Sequence, residues 1–599
     1  MPKHDSQPYS ASKDDVQSPG RKSEADGLPS PRRSLFRAFM LLLAAVAVAI
    51  GTQWAVPDFD QQNANLIGMG AIALAVLYLL FVVYRIDFRA GNQKRIPLFL
   101  ASILVISVVL FRFEGFSGTM FPLFSWRFAD GNQYELESLV DSEIAPSANG
   151  ENESISPAFD SPQFLGPARN GVYPRRVFDI PSDPKDVKIS WSHGIGQGWS
   201  AFAVEGEYAV TLEQRGDKEC LSCYDLGDGK LIWIVEHEGY HHNTLGGTGP
   251  RSTPTIVDGK VYATTATGWL CCVGLADGSI DWSTDLFELA GWTQVEFEAA
   301  APWGYAPSPL VVGNLCIVPL GGPVVNGSFS NDQGASLVAF NRVDGEMLWK
   351  AGSDQLSYAS PMLMTFDGLE QVVSVNEKTV TGHDVETGRQ LWEFDWPGST
   401  NTGATCAAAV YVADDQVLVG KGYSGGSALV KIEREGDGWT TEDQWRSSRV
   451  LKTKFNHTCV DGIIGYGISN GSLQAVSLEE PDVYWTQPRR NRSGEGHAVL
   501  VDDVLVVQDE EGDLVFVSAA VNDYVELLRL EALSSKTWNI PCVSGRYILV
   551  RNDRQVICYE MPAIDFIPAD EIEAALETGM REDQAETKQD ETTAVQPST

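Results

Sequence analysis

Positive charge is what this chain has least of. Its 599 residues carry 44 Lys and Arg against 80 Asp and Glu, a formal net charge of -36. A nucleic-acid surface needs a basic footprint to displace counterions from phosphates, so nucleic-acid binding is excluded as the function. The acidity itself reads as solubility. Cysteine is scarce as well. There are nine, an odd number in a long chain, which argues against a disulfide-built scaffold. Cys220-Leu221-Ser222-Cys223 is followed by Tyr224 rather than His, which argues against a covalently attached c-type haem. His241-His242 is adjacent rather than four apart, a poor spacing for a metal pair.

What is present divides into two parts, as the length demands: the chain is too long for one compact core. Residues 1–30 are polar and rich in Ser, Pro, Asp and Lys, a composition that predicts disorder. Arg32, Arg33 and Arg37 then lead into an apolar run, Ala38–Val56. Leu66–Tyr84 is a second run and Pro97–Phe111 a third, with Phe113 and Phe116 placed to extend it. These predict three transmembrane helices, with spans at about 38–56, 66–84 and 97–113. The loop after the first run is acidic (Asp58, Asp60), and the loop after the second carries Arg85, Arg89, Lys94 and Arg95. The positive-inside rule then puts the N-terminus in the cytoplasm and everything after the third span in the periplasm. Phe116–Phe128 is aromatic and reads as an interfacial segment, and Ala129–Asp160 as an acidic linker.

The remaining two thirds repeat. Tyr224-Asp225-Leu226-Gly227-Asp228-Gly229-Lys230-Leu231-Ile232-Trp233 is a strand, a Gly-bearing turn and a second strand closing on Trp. Eroded copies end at Trp282, Trp349 and Trp392. The full series of endings is Trp191, Trp233, Trp282, Trp349, Trp392, Trp445 (or Trp439), Trp485 and Leu530, the last where a Trp is expected. Seven intervals from 191 to 530 average about 48 residues, the length of a four-stranded propeller blade. Trp191 ends a fourth strand with no blade before it, while Trp538–Glu560 supplies three strands and no fourth. The pattern therefore predicts an all-β eight-bladed β-propeller in which Lys188–His193 closes the ring and removes the open edge; seven blades and a stray strand is the alternative. The expected organisation is a cytoplasmic tail at 1–34, a membrane anchor at 35–116, interfacial segment and linker at 117–160, propeller at 161–562 and an acidic tail at 563–599, with a short helix at Ala569–Glu577.

The Asp-x-x-x-Gly-x-x-x-Trp spacing resembles the tryptophan-docking repeat of pyrroloquinoline-quinone-type eight-bladed propellers. That superfamily includes quinoprotein alcohol dehydrogenases, and also the cofactor-free propeller lipoprotein of the outer-membrane β-barrel assembly machinery. Phe164–Val172 is similar to the opening motif of planctomycete-type proteins with this repeat. The resemblance implies that Trp191, Trp233, Trp282, Trp349, Trp392 and Trp485 pack between blades as structural residues.

The resemblance also implies where chemistry would lie. The dehydrogenases hold a vicinal disulfide against the quinone, and Cys271-Cys272 invites that comparison. Register argues otherwise. Cys272 lies ten residues before Trp282, as do Cys223, Ala339, Gly382 and Ala475 before their Trp, so the slot takes small residues for packing. The loops leading into the inner strands are richer. They carry Arg251, Trp303, Tyr305, Tyr358, Asn456, His457, His497 and Trp538, an aromatic and cationic set converging on a central funnel, the candidate ligand-binding residues. Arg251 sits where the dehydrogenases have a carboxylate-reading Arg. No Glu, Asn and Asp set matches their calcium ligands, and no catalytic Asp can be assigned, so no catalytic or metal residue is named. The expected function is a membrane-anchored periplasmic binding or scaffold module, in the inner membrane, for a protein or envelope ligand. The alternative is a membrane-bound dehydrogenase of alcohols or sugars using pyrroloquinoline quinone with calcium.

Overall fold

The computed structural model describes residues 31–54, 60–89, 91, 95–128, 136, 159–325, 328–329, 333–400 and 403–564. The expected tail up to residue 30, nearly all of the linker from 129 to 158, and the acidic tail from 565 with its expected helix lie outside the described residues. The chain forms two compact units. One comprises residues 1–51 and 67–106; the other comprises 52–66 and 107–599.

The first unit is helical. α1 is Pro31–Trp54, α2 is Gln61–Arg89 and α3 is Arg95–Leu110. α1 has 24 residues and α2 has 29, and both are apolar enough to cross a membrane. α3 has only 16. At 1.5 Å per residue it spans about 24 Å, short of the ~30 Å hydrocarbon layer. The expectation of three spans is thus corrected to two helices of spanning length plus a shorter apolar one. The reason lies at Phe111. From there aromatic residues alternate with Arg112 and Glu114, a period of two that suits a strand rather than a helix. Phe111–Phe116 pairs antiparallel with Pro122–Trp126, so Phe113 and Phe116 belong to a hairpin and do not lengthen α3. This hairpin belongs to the second unit.

The second unit is built on eight blades, seven of them four-stranded antiparallel sheets and one with a fifth, parallel strand added. Their inner strands are Ala203–Glu205, Thr255–Val257, Leu310–Val312, Met362–Phe366, Val410–Val412, Cys459–Asp461, His497–Val501 and Cys542–Ser544, which define blades 1 to 8 in that order. Blade 8 takes its outer strand from the start of the ring: Gln555–Glu560 pairs with Lys188–Gly194, with Cys558 opposite Trp191. The predicted closure and the count of eight both hold.

One detail recurs in all eight sheets. The outer pair of strands carries a bulge, and the residue just before it faces the residue in the Trp slot. The pairs are Cys223 with Trp233, Cys272 with Trp282, Ala339 with Trp349, Gly382 with Trp392, Leu429 with Trp445, Ala475 with Trp485 and Cys558 with Trp191. Except for Leu429 in blade 5, small residues face the indole, which is why Cys272 stands where it does. Blade 7 inverts the sizes, with Phe516 facing Leu528. The Trp slot of that blade is therefore Leu528, two residues before the expected Leu530, and in blade 5 it is Trp445 rather than Trp439.

Each indole also crosses to the next blade. Trp191 donates its Nε1–H to the Leu226 carbonyl at 2.8 Å, Trp233 to Leu275 at 2.7 Å, Trp282 to Arg342 at 2.9 Å, Trp445 to Leu478 at 2.8 Å and Trp485 to Ala520 at 2.8 Å. Beneath the ring lies the turn glycine of the following copy. A Cβ on Gly229 would come 2.5 Å from Trp191, and one on Gly278 2.9 Å from Trp233. Two slots depart. Trp392 donates instead to Gln371 Oε1 at 2.7 Å, and the Trp349 N–H has no partner among the described residues.

Candidate functional site

The opening motif crosses the middle of the ring. Ile256 donates its N–H to the Pro162 carbonyl in blade 2, at 2.7 Å. Arg169 then donates to the Ser308, Pro309 and Pro361 carbonyls at 2.7, 3.0 and 3.0 Å, tying blades 3 and 4. Val172–Tyr173 finally adds a parallel strand to blade 7. Phe164 stands above this crossing and packs edge-on against His457, ring centroids 5.0 Å apart.

Above Phe164 is a cavity of about 330 Å³. Every blade contributes from the loop ahead of, or the first residue of, its inner strand: Trp199, Arg251, Trp303, Tyr358, Cys406, His457, His497 and Trp538 in blade order. Six of the eight residues expected at the funnel are among its lining: Arg251, Trp303, Tyr358, His457, His497 and Trp538. The other two are elsewhere. Tyr305 is buried in the blade 3 wall with its hydroxyl donating to the Pro319 carbonyl at 2.5 Å. Asn456 points to Glu495, donating to Oε2 at 3.4 Å. Cys271 and Cys272 lie in the third strand of blade 2, unbonded to each other and outside the lining.

The lining is aromatic, with cations among the rings. Trp538 packs against Trp199 on one side and Phe455 on the other, each at 5.0 Å between centroids. The Lys536 ammonium sits 3.9 Å from the Trp538 centroid and 5.4 Å from that of Trp199. Burial there pulls its pKa down to about 8. Arg251 is held by carbonyls: it donates to Gly249 at 2.8 Å and Gly246 at 2.7 Å. Burial lowers its pKa to about 10, and among the described residues no carboxylate lies within salt-bridge distance of it. His457 accepts from the Ala408 N–H at Nδ1, 3.3 Å, which leaves the proton on Nε2. Burial drops His457 to about 3 and His497 to about 4, so both rings are neutral at pH 7.

The mouth is closed by the hairpin. Its turn, Ser117 to Met120, forms part of the cavity lining together with Gln62 and Tyr423. Gly118 is clamped: its N–H donates to Glu510 Oε1, and its carbonyl accepts from Lys454 Nζ at 2.8 Å. Lys454 also pairs with Glu495 at 3.1 Å, and both side chains are at most 1% exposed. Burial raises the Glu495 pKa against that lysine. A side chain at Gly118 would run into Glu495, so only glycine fits. Around this knot, Glu510 accepts from Trp538 Nε1 at 2.8 Å and from the Glu495 N–H at 3.0 Å. Ser424 donates its N–H to Asp60 at 2.7 Å, and Arg492 donates to Gln61 at 2.8 Å.

Sequence reasoning missed two kinds of lining residue and one cation packed on their rings. Trp199 precedes the blade 1 inner strand as Arg251 precedes that of blade 2, so counting positions from the strand would have found it. Lys536 is two residues before Trp538 and could have been read with it. Met120 comes from the hairpin, some 80 residues before the first blade, and no local pattern announces it.

The quinone-and-calcium arrangement does not fit these residues. Among the described residues no three His, Cys, Asp or Glu gather as a metal site. Glu495 and Glu510 at the mouth are engaged with Lys454, Gly118 and Trp538, and the vicinal cysteines are in a different layer of the structure.

Comparison with known proteins gives the following. Residues 217–487 match the family model PQQ_2, described as outer membrane protein assembly factor BamB. The dehydrogenase subunits of the quinone alcohol dehydrogenases of Komagataeibacter europaeus and Gluconacetobacter polyoxogenes are each 22% identical over 315 residues. That covers 49% of this chain and 35% of theirs, so the chain spans about a third of the length of these relatives. Among solved structures, BamB from Moraxella catarrhalis is 14% identical, covering 63% of this chain and all of that one, with a TM-score of 0.43. The quinohemoprotein alcohol dehydrogenase of Comamonas testosteroni is 12% identical, covering 69% and 82%, with a TM-score of 0.39.

Proposed function

We propose that this chain is a membrane-anchored binding module, with its propeller in the periplasm and its N-terminus in the cytoplasm, that takes a protein segment or envelope ligand into the funnel. The observation that carries this reading is the cavity: all eight blades line it, and among the described residues no three His, Cys, Asp or Glu gather there as a metal site. Its chemistry suits an occupant with a flat apolar body and one anionic or carbonyl group. The rings of Trp199, Trp303 and Trp538 supply faces for the body. Arg251 supplies a desolvated cation for the acceptor. Neutral His457 offers one donor at Nε2 without adding charge.

Calorimetry on the full-length protein in lipid nanodiscs tests the reading, with 2-naphthoate as probe. Binding that Arg251→Ala weakens tenfold or more, with the fold intact, supports it. Oxidation of alcohols or sugars after addition of pyrroloquinoline quinone and calcium overturns it in favour of the dehydrogenase. That second reading draws on Arg251, which stands as a carboxylate-reading residue in an aromatic pocket.

A further inference from the structure

The hairpin that closes the mouth has two unlike faces. Its inward face is polar and tied to the propeller. Glu114 accepts from Ser125 at 2.6 Å and pairs with Arg554 of blade 8 at 3.3 Å. The Phe116 carbonyl accepts from Lys536 at 3.2 Å. Its other face is a ladder of rings. Phe111 stands opposite Trp126 and Phe113 opposite Phe124 across the strands, with centroids 5.3 and 5.6 Å apart. Phe128 extends the ladder at 6.2 Å from Trp126. These rings are exposed, Phe124 by 62% and Phe128 by 64%. In the turn Phe121 is exposed as well, while its neighbour Met120 lines the cavity.

An exposed aromatic ladder marks an interaction surface. We propose that its partner is a lipid bilayer, and that the hairpin seats the mouth of the propeller on the headgroup layer. Three observations favour lipid. The ladder begins at the residue after α3 ends, and α3 from Ile96 to Leu110 is apolar except for Ser102 and Ser107, so membrane-seeking chain runs directly into it. The residues are Phe and Trp, the side chains that settle at membrane interfaces. Arg112 and Arg127 flank them, a local basic pair in a chain of net charge -36 and the sign that suits phosphate headgroups. The hairpin-covered mouth of the cavity then lies at the membrane surface, a few residues from the rings. This inference concerns where the mouth lies and stands whatever occupies the cavity.

Depth measurement on the full-length protein in nanodiscs tests it. A nitroxide at Phe124→Cys is compared with one at Val343→Cys, on an exposed outer turn of blade 3. Eight native cysteines are buried and Cys406 is half-buried, so unsubstituted protein supplies the background. The expected result is that position 124 collides with oxygen more than with a water-soluble nickel chelate, and position 343 the reverse. Replacing Phe111 and Trp126 by Ser should move position 124 toward nickel. Equal nickel access at 124 and 343 overturns the proposal. So does dipolar broadening between labels at 124, which would give the ladder to a second copy of the chain.

Discussion

The seams between blades and the mouth of the funnel are built on opposite principles. Most seams repeat one solution: a small residue facing an indole, the indole donating to a carbonyl of the next blade, a glycine beneath it. The mouth is made once, from eight loops that share a position and nothing else. The difference separates the work of the two regions. A repeated seam can absorb an eroded copy, as blade 7 does with Phe516 facing Leu528, because its neighbours hold the ring. A mouth in which each residue is unlike the others cannot share out a loss, so each substitution there should change one property.

Substitutions can break that comparison or sharpen it. The largest effect should come from the seam. Trp233→Ala removes a ring that is 4% exposed and its hydrogen bond to Leu275. It should cost about 3–5 kcal/mol in denaturant unfolding, while the fraction that remains folded binds 2-naphthoate as before. Lys454→Met should cost somewhat less, about 2–3 kcal/mol, because it leaves Glu495 buried without its partner. Since burial already raises the Glu495 pKa, the variant should hold a proton on Glu495 to higher pH than the wild type does, and hydrogen exchange should show a loosened hairpin turn.

The pH profile is next. His457 and His497 are held well below their ordinary 6.5 in the folded state. Above about pH 6.5 they are neutral in both states and cost nothing. As the pH falls from there towards 4, the unfolded chain takes up protons that the folded one refuses. Stability should therefore drop by up to about 1.4 kcal/mol per unit for each ring, and His457→Phe should flatten part of that slope in unfolding curves. Smallest should be Cys272→Ala, under about 1 kcal/mol by thermal unfolding, with no change in binding. A large effect there would mean that the slot holds more than a packing residue.

The scaffold was legible in the sequence because its signal is repeated. One copy of Tyr224–Trp233 could be chance, but a series of copies about one blade apart predicts blade number, ring closure by Lys188–His193 and the plain role of Cys272. The Trp slots of blades 5 and 7 were harder, since blade 5 offers two Trp and blade 7 none, and only pairing decides between Trp439 and Trp445, or Leu528 and Leu530. The third apolar run shows a limit of another kind. A hydropathy run says where a helix is apolar, whereas from Phe111 onward aromatic residues alternate with charged ones and the chain turns into strand. Of the candidate site, the residues next to inner strands could be read from register. The contribution of Gly118 and Met120 could not, because a long-range contact from the hairpin leaves no periodic trace.

The central claim is that the repeat is scaffold and the funnel cavity is where this protein meets its ligand. Ala306 lines the cavity and has room before it. Calorimetric titration of full-length wild type and Ala306→Trp with 2-naphthoate tests the claim most directly. The account predicts binding to the wild type and none to the variant, with the unfolding midpoint held. Equal binding to both proteins, or none to the wild type, would contradict it.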